Sequence, residues 1–312
     1  MRDLLLTLGA LFIIANTSAD AKTLQVGPGK KYRTPCQAFG AARDGDRIEI
    51  DAAGKYDGDV CTTSANGLTI RGVNGRPRID AAGKDAQGKA IWVISGNNTI
   101  LESIELSGCK VEDENGAGIR QEGANLTVRN CYFHDNENGI LSGRSADSEI
   151  LVENSEFARN GHGDGYAHNV YIGHVRKFTL KYSYFHHSRG GQLVKSRAAE
   201  NHILYNRLTD EGGSNYEIDL PNGGIAYVVG NIIQQSPAPE NSSLLAFGAE
   251  GPVPESQIYV ISNTFVNLGI SGSDPEIPIL GSLIPTEQYV HPCRSEPRPV
   301  AGSIDIGAYE SP

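Results

Sequence analysis

Lys195 and Arg197 stand two residues apart, and Glu217 and Asp219 repeat that spacing further along the chain. In an extended strand, residues i and i+2 face the same way, so each pair presents two charges to one side. Lys195 can act as a general base where its pKa is lowered, clamp a carboxylate, or pair with Glu217 or Asp219. Arg197 can bind a carboxylate through two parallel hydrogen bonds or lie solvated on the surface. Glu217 and Asp219 offer an acid/base pair, a calcium site, or partners for the two cations. His168 and Tyr171 can exchange protons with a carbon acid or a leaving oxygen, although a corner histidine also serves to bond a backbone carbonyl. Arg120, Glu137, Asn169, His187 and Tyr216 are the candidate substrate contacts around these six. Apart from calcium at Glu217 and Asp219, no metal-ligand set is expected.

The elements that position these residues repeat. A small polar residue followed by a large apolar one recurs as Cys131-Tyr132-Phe133, Ser155-Glu156-Phe157 and Ser183-Tyr184-Phe185, then as Asn206-Arg207-Leu208, Asn231-Ile232-Ile233 and Asn263-Thr264-Phe265. The anchors are mostly 23 to 28 residues apart, the interval of stacked repeats. Short alternating runs such as Leu126-Thr127-Val128 and Phe178-Thr179-Leu180 are too strand-like for a helical solenoid and too short for βαβ units. One coil of strands per repeat, stacked in parallel, is the expected architecture. Residues one coil apart then become lateral neighbours about 4.8 Å apart, which gathers Arg120, Tyr171, Lys195, Glu217 and Asp219 on one outer face. Asn130, Asn154, Asn206, Asn231 and Asn263 read as a structural corner ladder.

The 312 residues include 37 Gly and carry a formal charge of −10, which argues against nucleic acid and anionic lipid as partners. Residues 1–21, with Arg2, the apolar run Leu4 to Ala15 and Ala19-Asp20-Ala21, read as a secretory signal too short to span a membrane. A secreted or periplasmic monomer is expected. Export permits disulfides. Cys36 with Cys61 and Cys109 with Cys131 lie about one coil apart and are the candidate pairs, leaving Cys293 alone.

Residues 22–50 form a cap and first strand, with Gly27-Pro28-Gly29 as a turn, Thr34-Pro35-Cys36-Gln37 starting a short helix that runs towards Asp44-Gly45, and Arg47-Ile48-Glu49-Ile50 as the first strand. Residues 51–270 supply the coils, lengthened at 158–168, where Asp164 is a turn residue, and at 236–242. Residues 271–312 form an irregular tail.

The chain resembles the right-handed parallel β-helix superfamily of pectate lyases, polygalacturonases and related polysaccharide enzymes. The resemblance rests on Val26-Gly27-Pro28-Gly29 with Asp44-Gly45-Asp46-Arg47-Ile48-Glu49-Ile50, on the coil pattern, and on Asp305-Ile306-Gly307-Ala308-Tyr309-Glu310. Lys195-Ser196, Asn201 and Asn206 are similar to the Lys-Ser segment of alginate lyases and chondroitinase B, where that lysine removes the C5 proton. Their Arg-His-Gly on the next coil is replaced here by Tyr216-Glu217-Ile218-Asp219. His168-Asn169-Val170-Tyr171-Ile172-Gly173 looks like a polygalacturonase segment, but Glu137-Asn138 stands in place of the paired aspartates. The resemblance implies an all-β right-handed solenoid and an extended, anionic polysaccharide as substrate. A lyase acting by β-elimination is the first expectation. A glycoside hydrolase using Glu217 with Asp219 or Glu137, a C5-epimerase, and a carbohydrate-binding protein without catalysis are the alternatives.

Overall fold

The computed structural model describes residues 21–268 except 164, 238 and 240–242, together with the strand backbone at Ile279–Leu280. The expected signal segment before Ala21, Asp164, Cys293 and most of the expected tail lie outside the described residues. No helix among the described residues is long and apolar enough to cross a membrane.

The coils form because alternating apolar residues are interrupted every few positions by corners that only certain backbones can turn. One coil lays down Leu126–Arg129, Tyr132–His134 and Asn138–Ser142; the next lays down Ser145–Glu153, Glu156–Ala158 and His168–Ile172. The third continues as Val175–Lys181, Tyr184–His186 and Gln192–Ser196. Each strand pairs in parallel with its equivalent one coil away, as in Val128 with Val152, Phe133 with Phe157, and Val170 with Val194. Among the described residues the three walls so built hold ten, eight and nine strands.

Inward residues from all three walls meet along the axis. Phe133, Phe157 and Phe185 stack face to face with ring centroids 5.0 and 4.5 Å apart, and all three are fully buried. The chain passes from the first wall to the second through residues with positive φ: Asn130, Asn154, Tyr182 and Tyr205 lie between 50° and 55°. Asparagine tolerates that region best, which explains two of the four. The corner ladder keeps Asn206, Asn231 and Asn263 of its expected members but on the earlier coils runs one residue after Asn130 and Asn154, with the Cys131 N–H donating to Ser155, Ser155 to Ser183, Ser183 to Asn206, Asn206 to Asn231 and Asn231 to Asn263. Asn130 and Asn154 supply the turn instead.

Three further expectations change at the N-terminal end and among the cysteines. The first strand is Thr23–Val26, paired with Arg47–Asp51, rather than Arg47 onward. The helix is only Pro35–Phe39; Gln37 accepts from the Arg33 N–H, and Asp59 of the next coil accepts from Cys36. Phe39 packs edge-on against the buried Trp92 at 5.0 Å. Cys36 and Cys61 form the disulfide, whereas Cys109 and Cys131 are free, buried thiols. These two occupy different corners: Cys131 belongs to the Ser155 ladder, and the Cys109 N–H donates to Asn136. Burial pushes both thiols up to about 12.

Phe157 sits between two stacked rings, so neither neighbour can collapse into the space it leaves. Phe157→Ala is expected to destabilise the fold by about 3–5 kcal/mol, measured by denaturant unfolding.

Candidate active site

The third wall carries the candidate residues because its register lines them up. One outward row runs Arg120, Leu141, Tyr171, Lys195, Asp219 and Ala246, each beside the next on consecutive coils. Their inward neighbours Ile140, Val170, Val194 and Ile218 are fully buried, which settles that Val194 points in and Lys195 out. Gly191, with φ 73°, lets this wall close up at its entry: a Cβ there would meet the Ala167 carbonyl oxygen at 1.8 Å.

Lys195 Nζ lies 2.8 Å from Asp219 Oδ2 and 2.9 Å from Glu250 Oε1. Arg197 Nη2 binds the other Glu250 oxygen at 2.6 Å, Nη1 donates to Asn222 at 2.7 Å, and Nε donates to the Tyr171 hydroxyl at 3.1 Å. One carboxylate thus bridges two cations, one oxygen to each. The His168 ring meets the Tyr171 ring edge-on at 5.1 Å. A cleft of about 470 Å³ opens beside this group, lined by His168, Gln192, Lys195, Tyr216, Asp219 and Glu250 together with Tyr166; Arg197 and Tyr171 are not in its lining and reach it through Glu250 and the His168 ring.

The charges follow from these contacts. Burial opposes the Lys195 ammonium, but the hydrogen bonds and fields of Asp219 and Glu250 outweigh it and raise the pKa. Lys195 is a cation here, without the lowered pKa that a lysine base needs. Burial also raises Asp219, against the pull of Lys195. Glu250 is held below the ordinary range: Lys195 and Arg197 together overcome its partial burial. Burial, with help from the Lys195 charge, lowers His168 to about 4, so its imidazole is neutral across the physiological range. Its Nδ1 is buried with no hydrogen-bond partner among the described residues.

Several expected members stand elsewhere. Glu217 does not join Asp219 on the outer face; it precedes the strand Ile218–Leu220 and points into the core, fully buried. The Ser214 hydroxyl lies 2.8 Å from Glu217 and 3.1 Å from the buried Asp210, and its single hydrogen cannot serve both. Burial, aided by Asp210, raises Glu217 well above the carboxylate range. Glu217 and Asp219 therefore do not converge as a calcium site or an acid/base pair. Glu137 is also turned inward, accepting from the Val111 and Gly116 N–H groups, and anchors that loop rather than extending the ridge. Asn169 is buried and accepts from Asn160. Arg120 shares the outward row but is separated from Tyr171 by Leu141 and does not line the cleft. His187 faces His186 and Glu211 at another corner. Tyr216 does line the cleft.

Glu250, Gln192 and Asn222 are members that sequence reasoning missed. Glu250 is 55 residues from Lys195. Its signal was the corner Gly248-Ala249-Glu250-Gly251, where two flanking glycines with φ 73° and 96° mark a tight loop carrying one charge.

A neutral Glu217 is cheaper to bury than a charged one, so the sign of its linkage is fixed. Its raised pKa means that the folded state holds the proton more tightly, and stability falls as pH climbs above the ordinary carboxylate range. Glu217→Gln is expected to melt with the parent near pH 4 and a few degrees above it at pH 7, by thermal denaturation at both values.

With this geometry in place, the comparisons agree on architecture. A family model described as a right handed beta helix region matches residues 58–233, and the chain belongs to that family. A search of curated protein sequences finds no match. Among solved structures, the chain is similar to the pectin methylesterase from Aspergillus niger. In its penultimately deglycosylated form the TM-score is 0.52 at 13% identity, and in its deglycosylated form 0.53 at 14%. Both alignments cover 87% of this chain and 93% of the other. A pectate lyase aligns with TM-score 0.49 and 11% identity over 82% of this chain and 79% of its own. At such identities the likeness to the pectin methylesterase shows the fold alone.

Proposed function

We propose that the protein is an exported lyase that cleaves an acidic, uronate-containing polysaccharide by β-elimination at the Lys195 cleft. The observation that carries this reading is the Glu250 carboxylate bridging Lys195 and Arg197, one oxygen on each. Two cations so spaced are a carboxylate receptor, and a uronate carboxylate offers the same two oxygens. Binding one there neutralises its charge and makes the adjacent C5 proton more acidic. His168, neutral and beside this pair, takes that proton. The C5 electrons form the C4=C5 double bond, and the C4–oxygen bond breaks. The Tyr171 hydroxyl accepts from Arg197, which leaves its own hydrogen for the departing oxygen. Lys195 thus moves from the expected base to a charge-neutralising role. Because Glu250 is half exposed on a corner, it can swing away as substrate arrives.

Purified protein with a panel of uronans, pectin included, is expected to yield unsaturated products detected by ultraviolet absorbance, and Lys195→Ala to lose at least a hundredfold in kcat/KM. New reducing ends without unsaturation, from any glycan on the panel, would sink the elimination reading. Retention of a glycan without any product points instead to the binding-only alternative, for which the outward Tyr227 and Tyr259 rings, stacked at 5.0 Å on another wall, are a platform.

The pH profile tests the choice of base. With His168 lowered to about 4, kcat/KM is expected to rise as pH passes about 4 and to stay level through neutrality. An acid limb centred near the ordinary imidazole value, or no acid limb, removes His168 from that role.

A further inference from the structure

Away from the cleft, two neighbouring coils bring three metal-ligating side chains to one corner. The strand Tyr184–His186 runs into His187, and the equivalent strand Arg207–Thr209 is followed by Glu211. His186 Nδ1 lies 2.6 Å from His187 Nδ1, and His187 Nδ1 lies 3.2 Å from Glu211 Oε2. The ligand atoms of the three residues are all within 4.8 Å of one another.

The surrounding contacts fix which atoms are available. His186 Nε2 lies 3.1 Å from Glu156 Oε1; an ionised carboxylate only accepts, so Nε2 carries the hydrogen and Nδ1 presents a lone pair. Glu211 Oε1 lies 3.0 Å from the Thr209 hydroxyl, whose one hydrogen is shared with the Phe185 carbonyl, 3.5 Å from the Tyr184 hydroxyl and 3.6 Å from Arg207 Nη2. That leaves Oε2 turned towards His187. Two ring nitrogens and a carboxylate oxygen therefore crowd one region, where a shared proton or a bound cation relieves the meeting of their lone pairs. A remote imidazole N–H held by a carboxylate is also how metal-ligating histidines are oriented.

We propose that His186, His187 and Glu211 form a binding site for one divalent transition cation of the zinc class. Two imidazoles and one carboxylate suit zinc, copper or nickel, whereas calcium and magnesium prefer oxygen shells. Nitrogen ligands on tetrahedral zinc, bonded at about 2.0–2.1 Å, stand about 3.3 Å apart. Glu211 is already at that separation from His187, and the two imidazoles need to part by less than an ångström. His187 is exposed, so the rotation meets no core packing and the ion has a path in. Three protein donors leave a fourth position for water. The site joins adjacent coils at the corner between the second and third walls and is independent of the lyase reading.

The test is zinc chloride titrated into the untagged full chain, stripped beforehand with a chelator, and followed by calorimetry. One equivalent is expected. His187→Ala and Glu211→Gln are each expected to weaken binding at least tenfold, and Glu156→Gln to weaken it about tenfold with stoichiometry still one. Cobalt substitution should give the visible absorption of a four-coordinate ion, lost in His187→Ala. Unchanged melting curves without metal show that the variants fold. No saturable binding overturns the proposal, as does parental affinity in the His187→Ala/Glu211→Gln double variant, which would put the ion on other histidines.

Discussion

The whole molecule rests on an in-register parallel hydrogen-bond ladder that forces chemically equivalent positions of successive coils into side-by-side contact. Any row of side chains must therefore tolerate its own repetition. Apolar rows do so by stacking, as Phe133, Phe157 and Phe185 show. Polar interior rows do so by passing hydrogen bonds from coil to coil, as Asn206, Asn231 and Asn263 do. Charged rows must alternate in sign. On the first wall Glu102, Arg129, Glu153 and Lys181 are consecutive neighbours, and each cation sits beside an anion. The energy of each such surface pair is small, but a row of like charges at this spacing would cost with every coil added.

That rule sharpens the distinction between a structural ion pair and a binding site. Lys195 beside Asp219 is what alternation alone produces, so this contact by itself says nothing about function. Glu250 is different. It does not belong to the row; it comes from a corner beyond the strand Leu245–Phe247 and reaches both Lys195 and Arg197. Of the two cations' anionic partners, Asp219 is thus fixed by the ladder and Glu250 is supplied by a loop. A loop contact can exchange for a ligand without unpicking a coil, because local opening at corners is far cheaper than breaking the walls.

How much of this was legible depended on whether a residue obeys the repeat. Phe133, Phe157, Phe185, Leu208, Ile233 and Phe265 announce the coil because each must fill the same inward slot. The adjacency of Tyr171, Lys195 and Asp219 follows from the same periodicity. Glu217 was misread because strand alternation was extended one residue past where the strand begins. Ile218 starts the pairing, and the chain before it bends inward to Ser214 and Asp210. Glu137 was misread for a related reason: it caps the N–H groups of a loop, and loops carry no period. Glu250 was missed because its contacts span two coils and a corner, where no spacing rule applies and its flanking glycines mark a loop without saying where that loop reaches. Cys109 and Cys131 show the limit of interval arithmetic, since a separation near one coil does not say that both lie on the same corner.

The carboxylates buried behind the third wall and the charges at its cleft meet different surroundings, and this decides what each can do. Around Glu217 the medium is core, and burial with the field of Asp210 favours its neutral, protonated form. Lys195, Asp219 and Glu250 border the open cleft, Arg197 pairs with Glu250, and two charges of each sign balance. A carboxylate ligand entering the cleft and displacing Glu250 keeps that balance: one anion leaves the cations and another replaces it. A neutral ligand displacing Glu250 would leave Lys195 and Arg197 facing Asp219 alone, with one positive charge uncompensated in a half-buried trough. The electrostatics of the wall therefore discriminate by ligand charge before any sugar hydroxyl is recognised, and they favour an acidic chain over a neutral one.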